Sequence, residues 1–222
     1  AAVAYLPMQK MGGDYAKFVA RKSHETLFMI CDVTGHGMPA ALAVNRVHAE
    51  FEHLARTAMG PGAILKELDV FVTRNFEGTG IYLSAFACLL NSERGTLSYA
   101  SHGHPAQYLC AMDSGKLTKL NSTAALLGIQ IPPEGDTERT LPMEGDSQIL
   151  LFTDGLPESA NSSGTQYGTV RLEDFIRAHR ALDAEEFLRE LVADMKHFRS
   201  GKVQDDIFIV NIRIKIKKGE LS

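Results

Sequence analysis

The sequence predicts an α+β fold in which two antiparallel sheets pack face to face with helices outside. Two observations carry this. Apolar residues recur at helical spacing in two pairs of segments, over 39–75 and 172–198. The remaining apolar, β-branched runs are short and separated by turn chemistry, too closely spaced for parallel crossovers, which need about a dozen residues. Helices segregated from antiparallel strands are most economically arranged as two stacked sheets with helices on the outer faces.

Taken in order, Tyr5-Leu6-Pro7-Met8 is a short lead-in, and Gly12-Gly13-Asp14-Tyr15 starts an extended stretch through Phe18 and Val19. Arg21, Lys22, His24 and Glu25 mark a turn into a strand over 26–33. Asp14 and Asp32 are therefore expected on neighbouring antiparallel strands. Gly35 and Gly37 then allow a sharp turn, and Pro39 suits the first position of a helix. Val44, Val47, Phe51, Leu54 and Ala58 make one apolar face of that helix. Gly60 stops it, Pro61 starts the next, and Ile64, Leu65, Leu68, Phe71 and Val72 form the second face.

Strand-like runs follow over 82–90, 96–101, 107–111 and 116–120, and their short spacing reads as an antiparallel meander. Residues 131–138 read as a surface loop, and Glu144-Gly145-Asp146 turns into an apolar strand over 148–153. Residues 161–168 read as a mobile polar loop. Leu172, Phe175 and Ile176 mark a short helix. Asp183, with Glu186 three residues on, opens a longer one that buries Phe187, Leu188, Leu191, Val192, Met195 and Phe198. Asp205-Asp206 opens a last strand running through Ile207 and Ile209 to Ile214 and Ile216, with Lys215, Lys217 and Lys218 as a solvated basic end.

The 222 residues suit a single domain, 1–222, with a large core. The net charge of −4 is not the footprint of a nucleic-acid binder, and no apolar run is long enough to span a membrane. Three cysteines in apolar runs, Cys31, Cys88 and Cys110, suit reduced buried thiols and a cytoplasmic setting. The chain opens without an initiator Met, as expected if that residue was removed or if the domain was excised from a longer regulatory protein.

Four carboxylates share one context. Asp14 starts a strand after Gly-Gly, Asp32 and Asp154 each end a strand before a glycine turn, and Asp205 begins the last strand. Neighbouring strand ends can bring all four together, and carboxylates that close repel unless a cation sits among them. Oxygen-only donors select Mg²⁺, Mn²⁺ or Ca²⁺ over Zn²⁺, and none of the eight His residues has a zinc spacing.

The motifs Gly12-Gly13-Asp14-Tyr15, Asp32-Val33-Thr34-Gly35-His36-Gly37-Met38-Pro39-Ala40-Ala41-Leu42, Gly103-His104-Pro105, Leu127-Gly128, Gly145-Asp146, Phe152-Thr153-Asp154-Gly155, Tyr167-Gly168 and Asp205-Asp206 occur in that order. As an ordered set they resemble the bacterial SpoIIE-type branch of the protein phosphatase 2C (PPM) family. The resemblance implies a PPM-type β-sandwich flanked by helix pairs and a centre of two Mn²⁺ or Mg²⁺ ions. It implies a serine/threonine phosphatase that hydrolyses phosphoserine or phosphothreonine on a protein. Carried over by motif, Asp32 bridges both ions, the Val33 carbonyl completes one, Asp154 and Asp205 hold the other, and Asp14 serves the first directly or through water. Asp205 is expected as the ligand over Asp206, because the second position varies in the family. Asp32 and Asp154 then carry catalysis through an ion-activated water, with no protein nucleophile.

The implied partner is a phosphorylated regulatory protein, such as a STAS-type anti-sigma-factor antagonist. Members of the branch are often fused to sensory or receiver domains. The helix pair over 39–75 follows the metal loop directly, so a partner or homodimer formation acting on it is expected to control how Asp32 and Asp154 are held. Two other readings stay open: a non-catalytic pseudophosphatase that binds, and another metal-dependent phosphoesterase.

The chain also departs from family usage. Thr34 stands where animal members carry a His. His36, two residues on, reads as loop-structuring, with a proton donor as the alternative. No counterpart of their phosphate-binding Arg is evident, and Lys10 is a candidate by proximity only. Ser101-His102 replaces the usual Asn-Ala without a derivable meaning. His104 reads as a satisfied structural His, Glu158 as a loop charge beside Asp154 or a minor helper there, and Cys31 as core packing.

Overall fold

The computed structural model describes residues 1–8, 12–35, 37–201 and 205–215. Along the chain run β1 (Ala2–Leu6), β2 (Asp14–Lys22), β3 (Glu25–Val33), α1 (Met38–Ala55), α2 (Pro61–Phe76), β4 (Leu83–Asn91), β5 (Thr96–His102), β6 (Gln107–Ala111) and β7 (Leu117–Leu120). They continue as β8 (Arg139–Pro142), β9 (Ser147–Phe152), α3 (Gly155–Glu158), α4 (Gly168–His179), α5 (Ala184–Phe198) and β10 (Ile207–Ile214). Two five-stranded sheets result, ordered β2-β3-β4-β5-β8 and β1-β10-β9-β6-β7, with antiparallel pairing between all neighbouring strands.

Three apolar layers hold these parts together. Phe28, Ile30, Phe86, Ile149, Leu151 and Val210 interleave between the sheets. Leu27, Met29 and Cys31, on the opposite face of β3, meet Val47, Phe51, Leu65 and Leu68 of α1 and α2. Tyr108, Leu150, Phe152 and Ile209 meet Leu172, Phe187, Leu191 and Met195 of α4 and α5. Strand alternation explains the first two layers: successive side chains of β3 serve different cores. The arrangement is the α+β sandwich with outer helix pairs that the sequence predicts. All three cysteines are free and buried. Among the described residues no helix is long and apolar enough to cross a membrane.

Local chemistry sets the helix ends. Asp183 accepts a hydrogen bond from the Glu186 N–H at 2.8 Å, opening α5 as expected. Pro39 and Pro61 lie in the first turns of α1 and α2. The Glu138 carboxylate reaches the Gly62 N–H at 2.9 Å, so the loop before β8 caps α2.

Five expectations need correction. The four runs from 82 to 120 are not one meander: β4 pairs with β5 and β6 with β7, but Gly103-His104-Pro105 carries the chain from one sheet to the other. The lead-in is the end of a full strand, β1, paired with β10. The strand β8 has no counterpart in the sequence reading, because Arg139 and Pro142 are what an exposed edge strand carries. The loop at 161–168 is anchored: the Asn161 side chain accepts from the Ser163 and Thr165 N–H groups, and Tyr167 is buried with its hydroxyl on Asp194 at 2.6 Å. Ala58 lies beyond the end of α1. Ile216, Lys217 and Lys218 fall outside the described residues.

Candidate metal centre

Strand register places the first pair. Asp14 stands directly opposite Asp32 across β2 and β3, at the spacing of cross-strand neighbours, about 5 Å between Cβ atoms. Both are half-buried. Burial, and then neighbouring carboxylates, push both carboxyls well above the ordinary carboxylate range. A hydrogen bond between the two carboxyls adds to the rise at Asp14 and offsets part of it at Asp32.

The second pair comes from the other sheet. Asp154 follows β9, and its carboxyl is pushed up to about 6 by burial, then by Asp205 and Glu158. The charges that act on Asp32 are Asp154, Asp205 and Asp206. Four sequence-predicted carboxylates, Asp14, Asp32, Asp154 and Asp205, are thus brought to one end of the sandwich, two from each sheet.

Thr153 joins the halves. Its hydroxyl donates to Asp14 Oδ2 at 2.7 Å and accepts the Phe208 N–H at 3.0 Å. Sequence reasoning missed it, although Thr153 stands beside Asp154 in the Phe-Thr-Asp-Gly motif. Gln107 was also missed. Its amide accepts the Phe152 N–H at 2.6 Å and donates to the Phe152 carbonyl at 3.1 Å, fixing the strand end that presents Asp154. A buried Gln in an apolar run is the only signal the sequence held.

Asp205 and Asp206 divide their work. Asp206 is buried, and its carboxylate accepts the Met8 N–H at 2.7 Å and the Gly13 N–H at 3.2 Å. It clamps the chain that leads into Asp14. A Cβ at Gly155 would overlap the Asp206 carbonyl, so that position requires glycine, and one at Gly12 would displace the Asp206 carboxylate and the Tyr5 hydroxyl. Asp205 is exposed, and its Oδ1 accepts the Asp206 N–H at 2.7 Å.

The Val33 backbone is fixed from two sides. Its N–H donates to the Gly13 carbonyl at 3.2 Å. A Cβ on Gly13 would stand 2.8 Å from the Val33 carbonyl oxygen. Thr34 staples the following turn: its N–H donates to the Tyr82 carbonyl and its hydroxyl accepts the Tyr82 N–H, both at 2.9 Å. This accounts for Thr34 as a structural residue. His104 is structural too. The Phe152 carbonyl can only accept, so His104 Nε2 donates to it at 3.2 Å and Nδ1 takes the Ser84 hydroxyl at 2.7 Å. Ser101 and His102 are buried, and Glu158 is an exposed charge that bears on Asp154. Burial pushes the Cys31 thiol far up, which suits packing and not nucleophilic chemistry. His36 and Lys10 fall outside the described residues.

Among the described residues, no three His, Cys, Asp or Glu side chains are closed around a single point. The donor set nonetheless fits a hard divalent cation. It is all oxygen, it gathers several acidic side chains, and it keeps a glycine-lined main-chain carbonyl alongside.

Solved structures define the class. The SiaA-PP2C domain of Pseudomonas aeruginosa superposes with TM-score 0.85 at 23% identity, covering 96% of this chain and 85% of that one. RsbX, solved in complex with magnesium, gives 0.69 at 18% identity, covering 96% and 94%. The fold is that of PP2C-type phosphatase domains. The family model described as Stage II sporulation protein E (SpoIIE) matches residues 22–215, and the chain belongs to that family. The phosphoserine phosphatase RsbU of Bacillus subtilis (strain 168) is 26% identical over 212 residues, 95% of this chain. The chain spans 62% of the length of RsbU.

Proposed function

We propose that this chain is a divalent-metal-dependent protein serine/threonine phosphatase acting on a phosphorylated regulatory protein. The observation that carries the reading is the register of Asp14 opposite Asp32, with Thr153 bonding Asp14 from the strand end that presents Asp154. Likeness to the phosphoserine phosphatase RsbU supports the reaction, and the magnesium complex of RsbX supports the ion class. The ions are Mn²⁺ or Mg²⁺, two of them, held by Asp14, Asp32, Asp154, Asp205 and the Val33 carbonyl.

Ions bound there would lower the pKa of a coordinated water towards neutrality and neutralise charge on the phosphoryl oxygens. The chain's own residues do the rest. Asp32 presents oxygens from β3 towards both halves of the site. Thr153 holds Asp14 in one orientation, and Gln107 fixes the end of β9 so that Asp154 arrives at a constant position. Asp206 holds the Gly12-Gly13 approach against β10. No side-chain nucleophile is required, so no phospho-enzyme forms. Such enzymes act in sigma-factor regulation by removing phosphate from STAS-type antagonists, and that is the substrate class proposed here, in the cytoplasm.

The test is Mn²⁺-dependent phosphate release from a simple aryl phosphate, with Asp32→Ala and Asp154→Ala as controls. Release that requires the ion and vanishes in both variants is expected. Release without added metal, or unaffected by both substitutions, overturns the reading. A panel of serine-phosphorylated STAS proteins then identifies the substrate.

A further inference from the structure

An arginine guanidinium keeps its charge throughout the physiological pH range and carries a planar fork of N–H donors. Four arginines are half-buried among the described residues, Arg21, Arg180, Arg199 and Arg213. Three of them meet main-chain carbonyls near the end of a helix. Arg21 donates to the Ala55 carbonyl at 2.8 Å and to the Met59 carbonyl at 2.5 Å. Arg180 donates to the Arg177 carbonyl at 2.8 Å, and Arg213 to the Arg180 and Leu182 carbonyls. Arg199 differs from all three. Its Nε and Nη1 are both buried, and neither has a hydrogen-bond partner.

Arg199 follows α5, where the backbone has already turned to extended dihedrals. Its neighbour Ser200 donates its N–H to the Ala160 carbonyl at 3.2 Å. Ala160 lies two residues past α3, and Asp154 stands at the start of that helix. Arg199 is therefore at the carboxylate end of the sandwich, set back from Asp154 by the length of α3, about 6 Å for its four residues. The charges that bear on Asp154 from nearby are acids, Asp205 and Glu158. A phosphoryl group at the centre would lie inside this ring of acids. Arg199 lies outside it, where the residues that flank a phosphoserine would pass.

Building on the phosphatase reading, we propose that Arg199 is a specificity-determining residue that binds an Asp or Glu carboxylate flanking the phosphoserine of the substrate protein. The guanidinium fork matches a carboxylate through two parallel bonds. A buried donor without a partner costs free energy, so the pairing stabilises the complex twice: it forms charge-assisted bonds and it ends the isolation of Nε and Nη1. Neither nitrogen has an existing bond to break before the side chain turns to the ligand. Glu158, an exposed acid at the end of α3, would repel the same flank, so the preference for acid depends on Arg199.

The test is kcat/KM for Mn²⁺-dependent phosphate release from two phosphoserine peptides that differ only beside the phosphoserine, with Asp and Glu in one and Asn and Gln in the other. Wild type is expected to prefer the acid-flanked peptide about tenfold, through KM. Arg199→Gln is expected to abolish that preference, with the amide-flanked peptide as its internal control. Arg199→Glu is expected to favour a third peptide, flanked by Lys, over the acid-flanked one, which no loss of packing or folding would produce. Equal rates of the wild type on the acid-flanked and amide-flanked peptides overturn the proposal, as does a preference that survives Arg199→Gln. An Arg199→Glu variant that does not favour the Lys-flanked peptide overturns it as well. Release from an aryl phosphate with none from either peptide overturns this proposal alone, whereas no Mn²⁺-dependent release from any of these substrates overturns the phosphatase reading beneath it.

Discussion

The Thr153 hydroxyl donates to Asp14 Oδ2 at 2.7 Å, so one oxygen of the first carboxylate is held by the opposite sheet. Thr153→Val keeps the shape and removes both this bond and the acceptor for the Phe208 N–H. Stability is expected to fall by about 2 kcal/mol, since a buried donor loses its partner. Mn²⁺ affinity is expected to fall as well. Urea unfolding with chelator present and a calorimetric Mn²⁺ titration measure the two effects separately.

Asp205 and Asp206 are adjacent, yet substitutions there are expected to fail in different ways. Asp206→Ala removes two charge-assisted bonds to backbone N–H groups and is expected to cost about 3 kcal/mol. Asp205→Ala removes an exposed carboxylate and the acceptor of the Asp206 N–H, and is expected to lower the melting temperature of the ion-free protein far less than Asp206→Ala does, while Mn²⁺ binding is lost. Equal melting losses in both variants would contradict this division.

Gly13→Ala tests the Val33 carbonyl. The added methyl group would stand 2.8 Å from that oxygen, closer than packing allows, and the carbonyl must turn or retreat. Phosphatase activity is expected to drop by far more than overall stability does. A variant with wild-type Mn²⁺ affinity would remove Val33 from the ligand set.

His104 sets an acid limit. Burial pushes its pKa down to about 3, so the folded protein keeps it neutral. The unfolded chain titrates near 6.5 and takes up the proton first as pH falls. Stability is therefore full above pH 6.5 and is lost as pH falls towards 3, at a slope approaching about 1.4 kcal/mol per pH unit from this group. His104→Gln is expected to flatten the pH dependence of unfolding between pH 6.5 and 5.

Asp14, Asp32 and Asp154 were legible in the sequence because each sits at a strand end close to a glycine turn, a pattern with a backbone reason, and Asp205 because it opens the last strand. The helix pairs were legible from periodicity. Thr153 and Gln107 were not, because a polar residue within an apolar strand shows its partner only once the neighbouring strand is placed. The crossing at Gly103-His104-Pro105 was not legible for a different reason: a turn that reverses the chain within one sheet and a turn that passes to the other use the same residues. The roles of Asp205 and Asp206 separate only when the glycines packed on Asp206 are seen.

Asp14 and Asp32 belong to one sheet, whereas Asp154 and Asp205 flank strands of the other. The gap between these halves is set by Ile30, Phe86, Ile149 and Val210, apolar residues that offer no side-chain ligand. Cation–oxygen bonds tolerate errors of about 0.2 Å, and a close-packed core transmits changes of a single methylene. On the proposed metal-dependent reading the carboxylate centre is a calliper across the sandwich, and its affinity for an ion would report the thickness of the protein's interior.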